Sequence, residues 1–230
     1  MKTIGLIGGM SWESSKMYYQ YANEYVKERL GGSHSCRCIM VSVDFAEIER
    51  YTFLGDWDKI GEMMANCTQQ LEAAGADIIL LCTNTIHLVS HYIEKSTSLP
   101  FLHIAKATGI AIQERDIKKV GLIGTKFTME KDFYTTILKQ DFGLEVITPS
   151  LTDRQDIHDV IYDELVKGQF TDTSKGKCID IMQNLNSDGA EGIIMGCTEL
   201  PILVPADDVK MATIDTTKVH IQQAIDWAIG

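Results

Sequence analysis

Along this chain, short unbroken apolar runs alternate with longer stretches in which apolar residues return every third or fourth place. A run bounded by turn residues fits a strand buried on both faces, and three- and four-residue steps fit a helix with one face in a core. Strands are predicted at 3–7, 38–43, 77–82, 119–123, 144–147, 192–195 and near 211–214. Helices are predicted at 12–30, 57–74, 131–142, 154–167, 173–188 and 218–228. Strand and helix alternate from end to end, which predicts an α/β fold with mainly parallel sheets.

The pattern also repeats. Gly5-Leu6-Ile7-Gly8 returns as Gly121-Leu122-Ile123-Gly124, and the stretch 75–84, GADIILLCTN, returns at 189–198 as GAEGIIMGCT. Both recurrences fall about 115 residues apart, close to half the chain, which implies duplication and fusion of two related α/β halves. Parallel sheets bind ligands beyond the carboxyl ends of their strands. Two halves facing each other would gather Gly8-Gly9, Thr83-Asn84, Gly124-Thr125 and Cys197-Thr198 around one pseudo-two-fold cleft. Such a cleft suits a planar intermediate approached from either side.

Charge narrows the partners. Lys and Arg number 21 against 32 Asp and Glu, a net charge of −11, so nucleic acid and anionic membranes are repelled and neither is expected as a partner. An anionic small molecule is still admissible, because local donors decide binding inside a pocket. The opening segment is short and glycine-rich for a secretory signal, and no apolar run spans a bilayer, so a cytoplasmic location is expected. The six cysteines are then expected as free thiols. Cys36-x-Cys38 is the only close pair, and it lacks a second pair at zinc-site spacing, so no metal is expected.

Moving a proton from one face of a carbon to the other requires two acid/base groups that flank it. Cys197 ends a predicted strand just before Thr198-Glu199-Leu200, where a helix could begin, and this position is expected to stabilise its thiolate. Three motifs, Ile4-Gly5-Leu6-Ile7-Gly8-Gly9-Met10, Asn84-Thr85-Ile86-His87 and Gly196-Cys197-Thr198-Glu199, resemble those of the cofactor-independent aspartate/glutamate racemase family. The resemblance covers nearly the whole chain. It implies two Rossmann-like domains with the active site between them, no cofactor, an acidic amino acid as substrate, and a homodimer. It also implies that the final segment packs on the first domain, giving boundaries of 1–100 plus 212–230 and 101–211.

Members of that family use a cysteine before the Asn-Thr of the middle motif and a second one in the late motif. Here the second is Cys197, while the residue before Asn84 is Thr83 and the nearby thiol, Cys82, lies one place earlier. The ungapped repeat pairs Thr83 with Cys197, and alternation along a strand would aim Cys82 to the other face; pairing Cys82 with Cys197 is the competing alignment. A hydroxyl is a poor base but can donate a proton. The chain therefore looks like an L-specific threonine/cysteine branch, with Cys197 taking the α-proton of L-aspartate or L-glutamate and Thr83 reprotonating.

The resemblance further points to Met10, Thr52, Asn84, Thr85, Thr125, Lys167, Thr198 and Glu199 as substrate-binding residues. Asn84 and Thr85 could equally be helix caps, and His87 either structural or functional. The cation for the substrate's side-chain carboxylate is less well marked: Arg50 is displaced from the family's arginine, and Lys167 falls within one residue of its lysine. Both could be solvated surface charges. A cysteine-nucleophile isomerase or hydrolase on the same scaffold, a nucleotide-binding oxidoreductase using the Gly8-Gly9 turn, and a non-catalytic amino-acid sensor stay open beside the racemase reading.

Overall fold

The computed structural model describes residues 1–230. Its strands are β1 (Ile4–Gly8), β2 (Cys38–Ser42), β3 (Ile78–Leu81), β4 (Lys119–Gly124), β5 (Glu145–Ile147), β6 (Gly192–Gly196) and β7 (Ala212–Asp215). The helices are α1 (Trp12–Leu30), α2 (Phe45–Leu54), α3 (Trp57–Ala73), α4 (Ser90–Ser96), α5 (Ile104–Gln113), α6 (Lys126–Glu130), α7 (Asp132–Phe142), α8 (Leu151–Asp159), α9 (Asp172–Ser187), α10 (Leu200–Leu203) and α11 (Thr216–Ile229). All ladders are parallel: the first sheet has the order β2-β1-β3, the second β5-β4-β6-β7. The expected α/β class is thus observed, with seven strands at the expected places. None of the helices is long and apolar enough to cross a membrane.

The chain divides into two units, 1–104 with 220–230, and 105–219. This moves both expected boundaries. Residues 212–219, expected in the first half, stay with the second because β7 is hydrogen-bonded to β6 through Ile193↔Thr213 and its neighbours. Helix α5, which follows α4, belongs from Ala105 onward to the second unit; from His220 onward α11 belongs to the first.

In the first unit the sheet is covered on both faces. Ile7, Ile79 and Leu81 pack with Ile60, Met64 and Leu71 of α3. Ile4, Leu6, Ile78, Leu80 and Cys82 pack with Tyr18, Ala22 and Val26 of α1 and with Ile221, Ala224 and Ile225 of α11. Ile221 and Ile225 of α11 are fully buried, each contributing about 1.5–3 kcal/mol to its docking. In the second unit, Ile193, Met195 and Cys197 share a core with Ile181, Met182 and Leu185 of α9. Duplication shows in detail as well: the buried Tyr18 hydroxyl bonds to His220 of α11 at 2.7 Å, and the buried Tyr134 hydroxyl bonds to Thr108 of α5 at 2.8 Å.

Three histidines, His87, His103 and His220, are buried in the first unit, and the His87 ring lies 4.5 Å from that of His103 and 5.9 Å from that of His220. The ring of His220 donates from Nε2 to the Leu102 carbonyl at 2.8 Å, so Nδ1 is left to accept from Tyr18. Burial holds His220 at about 4; His87 is pushed well down by burial and by the neighbouring rings. An unfolded histidine titrates near ~6.5, so between that pH and about 4 the unfolded chain binds the extra proton. Stability is therefore level above the unfolded value and falls as pH drops through this window. For His220 alone the loss at pH 5 relative to pH 7 is about 2 kcal/mol. Denaturant midpoints at the two pH values should show it, and a His220→Gln variant should flatten the dependence; an equally steep dependence in the variant would exclude His220 as a source.

Candidate active site

Pairing with the first strand of each sheet decides the register that the sequence left between two alignments. Ile7 of β1 faces Leu81, and its repeat Ile123 of β4 faces Met195. Leu81 therefore corresponds to Met195, Cys82 to Gly196 and Thr83 to Cys197. The core agrees: Cys82 is fully buried with Leu80 on the α1 face, whereas Thr83 has the parity of Ile79 and Leu81. Thr83 and Cys197 are also alike in retaining slight exposure, 9% and 8%.

The loop that carries Thr83 is fixed from both sides. Ser14 Oγ donates to the Cys82 carbonyl at 2.9 Å, and the His87 ring holds the Thr83 carbonyl from Nδ1 at 2.7 Å. Because the Ile104 backbone N–H donates to His87 Nε2 at 3.2 Å, the ring proton sits on Nδ1 and points at Thr83. This ring is a neutral brace rather than an acid or a base. Asn84 and Thr85 are buried at the start of the short 3₁₀ turn Thr85–Val89, and the Asn84 side chain does not cap it; the capping alternative is set aside for Asn84.

The opening turn is built from serines that the sequence did not single out, although they cluster immediately after Gly8-Gly9. Ser11 caps α1 by accepting from the Ser14 N–H, and Ser15 Oγ accepts the Gly9 N–H at 2.7 Å. Gly9 has φ of +92°, and a Cβ there would lie 2.2 Å from the Val43 carbonyl oxygen, so only glycine fits. Met10 is buried next to it. In the second unit Thr125 is buried and caps α6, accepting from Thr128 N–H at 3.3 Å.

Around Cys197 the chemistry differs from expectation. Its thiol donates to Glu199 Oε2 at 3.0 Å, and the Thr198 hydroxyl donates to the same oxygen at 2.7 Å. All three residues are buried. Burial pushes the thiol well above its ordinary value and the Glu199 charge adds to this; the backbone N–H groups of Glu199 and Leu200 act the other way and are outweighed. The expected thiolate is therefore corrected to a protonated thiol aimed at a carboxylate. The helix start could not do more, since α10 has four residues. Glu199 thus accepts from both Cys197 and Thr198. At the related place in the first unit stands Thr85, which carries no charge.

The remaining expected residues have partners close by in the chain. Thr52 is buried and its hydroxyl donates to the Ile48 carbonyl of its own helix at 2.8 Å. Lys167 is exposed and lies 3.7 Å from Asp163, a separation worth little in solvent. Arg50 is exposed, stacked over Tyr51 at 4.7 Å and bonded to its hydroxyl at 2.8 Å. No group of three or more His, Cys, Asp or Glu side chains is placed to hold a metal ion.

The family model for Asp/Glu/Hydantoin racemase matches residues 7–224. The chain belongs to this family. A candidate Asp/Glu racemase of Yersinia pestis is 45% identical, with all of both chains covered and a TM-score of 0.92. An aspartate racemase homologue from Pyrococcus horikoshii OT3 is 32% identical, again over all of both chains, with a TM-score of 0.87. Among curated racemases, glutamate racemase 3 of Caldanaerobacter subterraneus subsp. tengcongensis is 25% identical over 171 residues, 68% of this chain. The chain thus spans only 59% of that relative's length.

Proposed function

We propose that the protein is a cofactor-independent amino-acid racemase acting on aspartate or glutamate by proton transfer at Cα, with Cys197 and Thr83 as the catalytic pair. The observation that carries this reading is the strand register, which makes Thr83 and Cys197 equivalent residues of two related units. Membership of the Asp/Glu/Hydantoin racemase family and likeness to an aspartate racemase homologue support the substrate class.

In this reading Glu199 takes the thiol proton of Cys197, across a contact already made at 3.0 Å. The thiolate removes the α-proton of the L-form, and the Thr83 hydroxyl donates its proton to the opposite face of the carbanion, regaining one from solvent. The reverse reaction would require threonine to act as the base, with no carboxylate at position 85 to help it. The enzyme should therefore treat the enantiomers unequally. Short donors at Asn84, Thr85, Thr125 and Thr198, with Met10 as a wall, would hold the substrate's carboxylate and ammonium. The Cys197–Glu199 contact also suits a thiol nucleophile, and a substrate adduct on Cys197 detected by mass would mark that alternative.

Solvent exchange in D2O tests the proposal: deuterium should enter L-aspartate or L-glutamate at least about tenfold faster than the D-form. Absence of exchange into either enantiomer of either acid would overturn it.

A further inference from the structure

Two cysteines have no part in the proposed reaction and stand together at the entry to β2, an edge strand of the first sheet. Backbone pairing is already extended here, since the Ile4 N–H donates to the Arg37 carbonyl at 2.9 Å and Ile4 faces Cys38. Alternation then puts Cys36 and Cys38 on one face. The core shows the same: both thiols pack against the cluster of Tyr18, Ala22 and Val26, while Ile39 and Val41 pack on the opposite face. Cys36 and Cys38 are only half-buried, unlike Cys67, Cys82, Cys178 and Cys197. Cys38 also lines an open groove with Trp12, Lys16, Tyr19 and Met40, so a small solute can reach it.

We propose that Cys36 and Cys38 form a peroxide-sensitive dithiol, a modification site separate from the catalytic pair, in which Cys38 is oxidised first and Cys36 resolves it. The Cys38 thiolate attacks one oxygen of hydrogen peroxide, giving a sulfenic acid and releasing hydroxide. The Cys36 thiol then displaces that hydroxyl as water and closes an intramolecular disulfide. Overall, two thiols are oxidised by two electrons and one peroxide is reduced to two waters. The order of events follows from access, since Cys38 and not Cys36 lines the groove; the neighbouring Cys36 thiol also lowers Cys38, to about 7. The lowering favours the thiolate, the reactive form, at Cys38.

Geometry makes the bridge reversible. Strand residues two apart have Cα atoms separated by about 6.6 Å, at the upper edge of the roughly 4.4–6.8 Å that a disulfide spans. Closing it requires the chain before β2 to contract, and a strained, accessible disulfide is readily reduced.

The test uses the full chain, a modest excess of hydrogen peroxide at pH 7.5, thiol blocking, and cleavage after glutamate. The peptide 29–47 contains Cys36 and Cys38 and no other cysteine. It should lose both thiol labels and appear as an internal disulfide that dithiothreitol reverses. The Cys38 label should disappear about tenfold faster than that of Cys197, since lower pKa raises the thiolate fraction more than it lowers nucleophilicity. Cys36→Ser should stop the reaction at a sulfenic acid on Cys38, trapped by dimedone, and Cys38→Ser should leave Cys36 reduced. Persistence of both labels, a disulfide to Cys82 instead, or equal oxidation of Cys36 in the Cys38→Ser variant would overturn the proposal.

Discussion

Replacing Cys197 by serine should reduce racemisation of acidic amino acids by about a thousandfold or more, with little change in KM. The loss follows from the nature of the base: a serine hydroxyl stays protonated beside Glu199, and a general base of this kind typically contributes 10²–10⁴-fold, as an order of magnitude. The fold should survive. Cys197 contributes one small side chain to the core it shares with Met195 and Leu200, and serine keeps the hydrogen bond to Glu199. A Cys197→Ser protein with wild-type circular dichroism and more than about a tenth of the activity would show that the thiol is not the base.

Glu199→Gln should have the second largest effect, and it has two readouts of opposite sign. The amide preserves shape but cannot take the proton that Cys197 gives up, so kcat should fall about a hundredfold. The same change removes the negative charge and one of the causes that raise the thiol. Cys197 should therefore ionise at lower pH in the variant, visible as thiolate absorbance in a pH titration referenced to Cys197→Ser. Lower activity with easier ionisation identifies Glu199 as proton acceptor. Unchanged activity, or a thiol that ionises at higher pH, would reduce Glu199 to a structural partner.

Much of the fold was legible because fully buried parallel strands write themselves as unbroken apolar runs, and because the duplication repeats them. Short helices were less visible. The segments that became α2, α4 and α5 carry no long periodic stripe, and α2 announces itself only through its Asp44 cap. The single helix expected over 154–167 is broken: α8 ends at Asp159, and π-helical and 3₁₀ turns follow through Lys167. Hydrophobic spacing does not distinguish these helix types. Position 212 was misassigned because a strand's sheet is set by its neighbours, not by its own composition.

At the site, the pairing of Thr83 with Cys197 was readable from the repeat, and strand register supports it. The protonation of Cys197 was not. A helix start next to a cysteine argues for a thiolate, but desolvation and the Glu199 carboxylate outweigh it, and neither burial nor rotamer is written in Gly-Cys-Thr-Glu. Lys167 and Arg50 lie beside Asp163 and Tyr51, partners that a charge in the sequence does not by itself name. The Ser14 and His87 braces were hidden because each acts on a backbone carbonyl far along the chain or one turn back.

The most direct measurement of the central claim is α-proton exchange in D2O, followed by NMR for L- and D-aspartate and L- and D-glutamate separately, in wild type and Thr83→Cys. The account predicts fast exchange into the L-form, slow exchange into the D-form, and a marked rise for the D-form alone when Thr83 becomes a thiol. Faster wild-type exchange into the D-form, or a Thr83→Cys variant that leaves the asymmetry untouched, would contradict it.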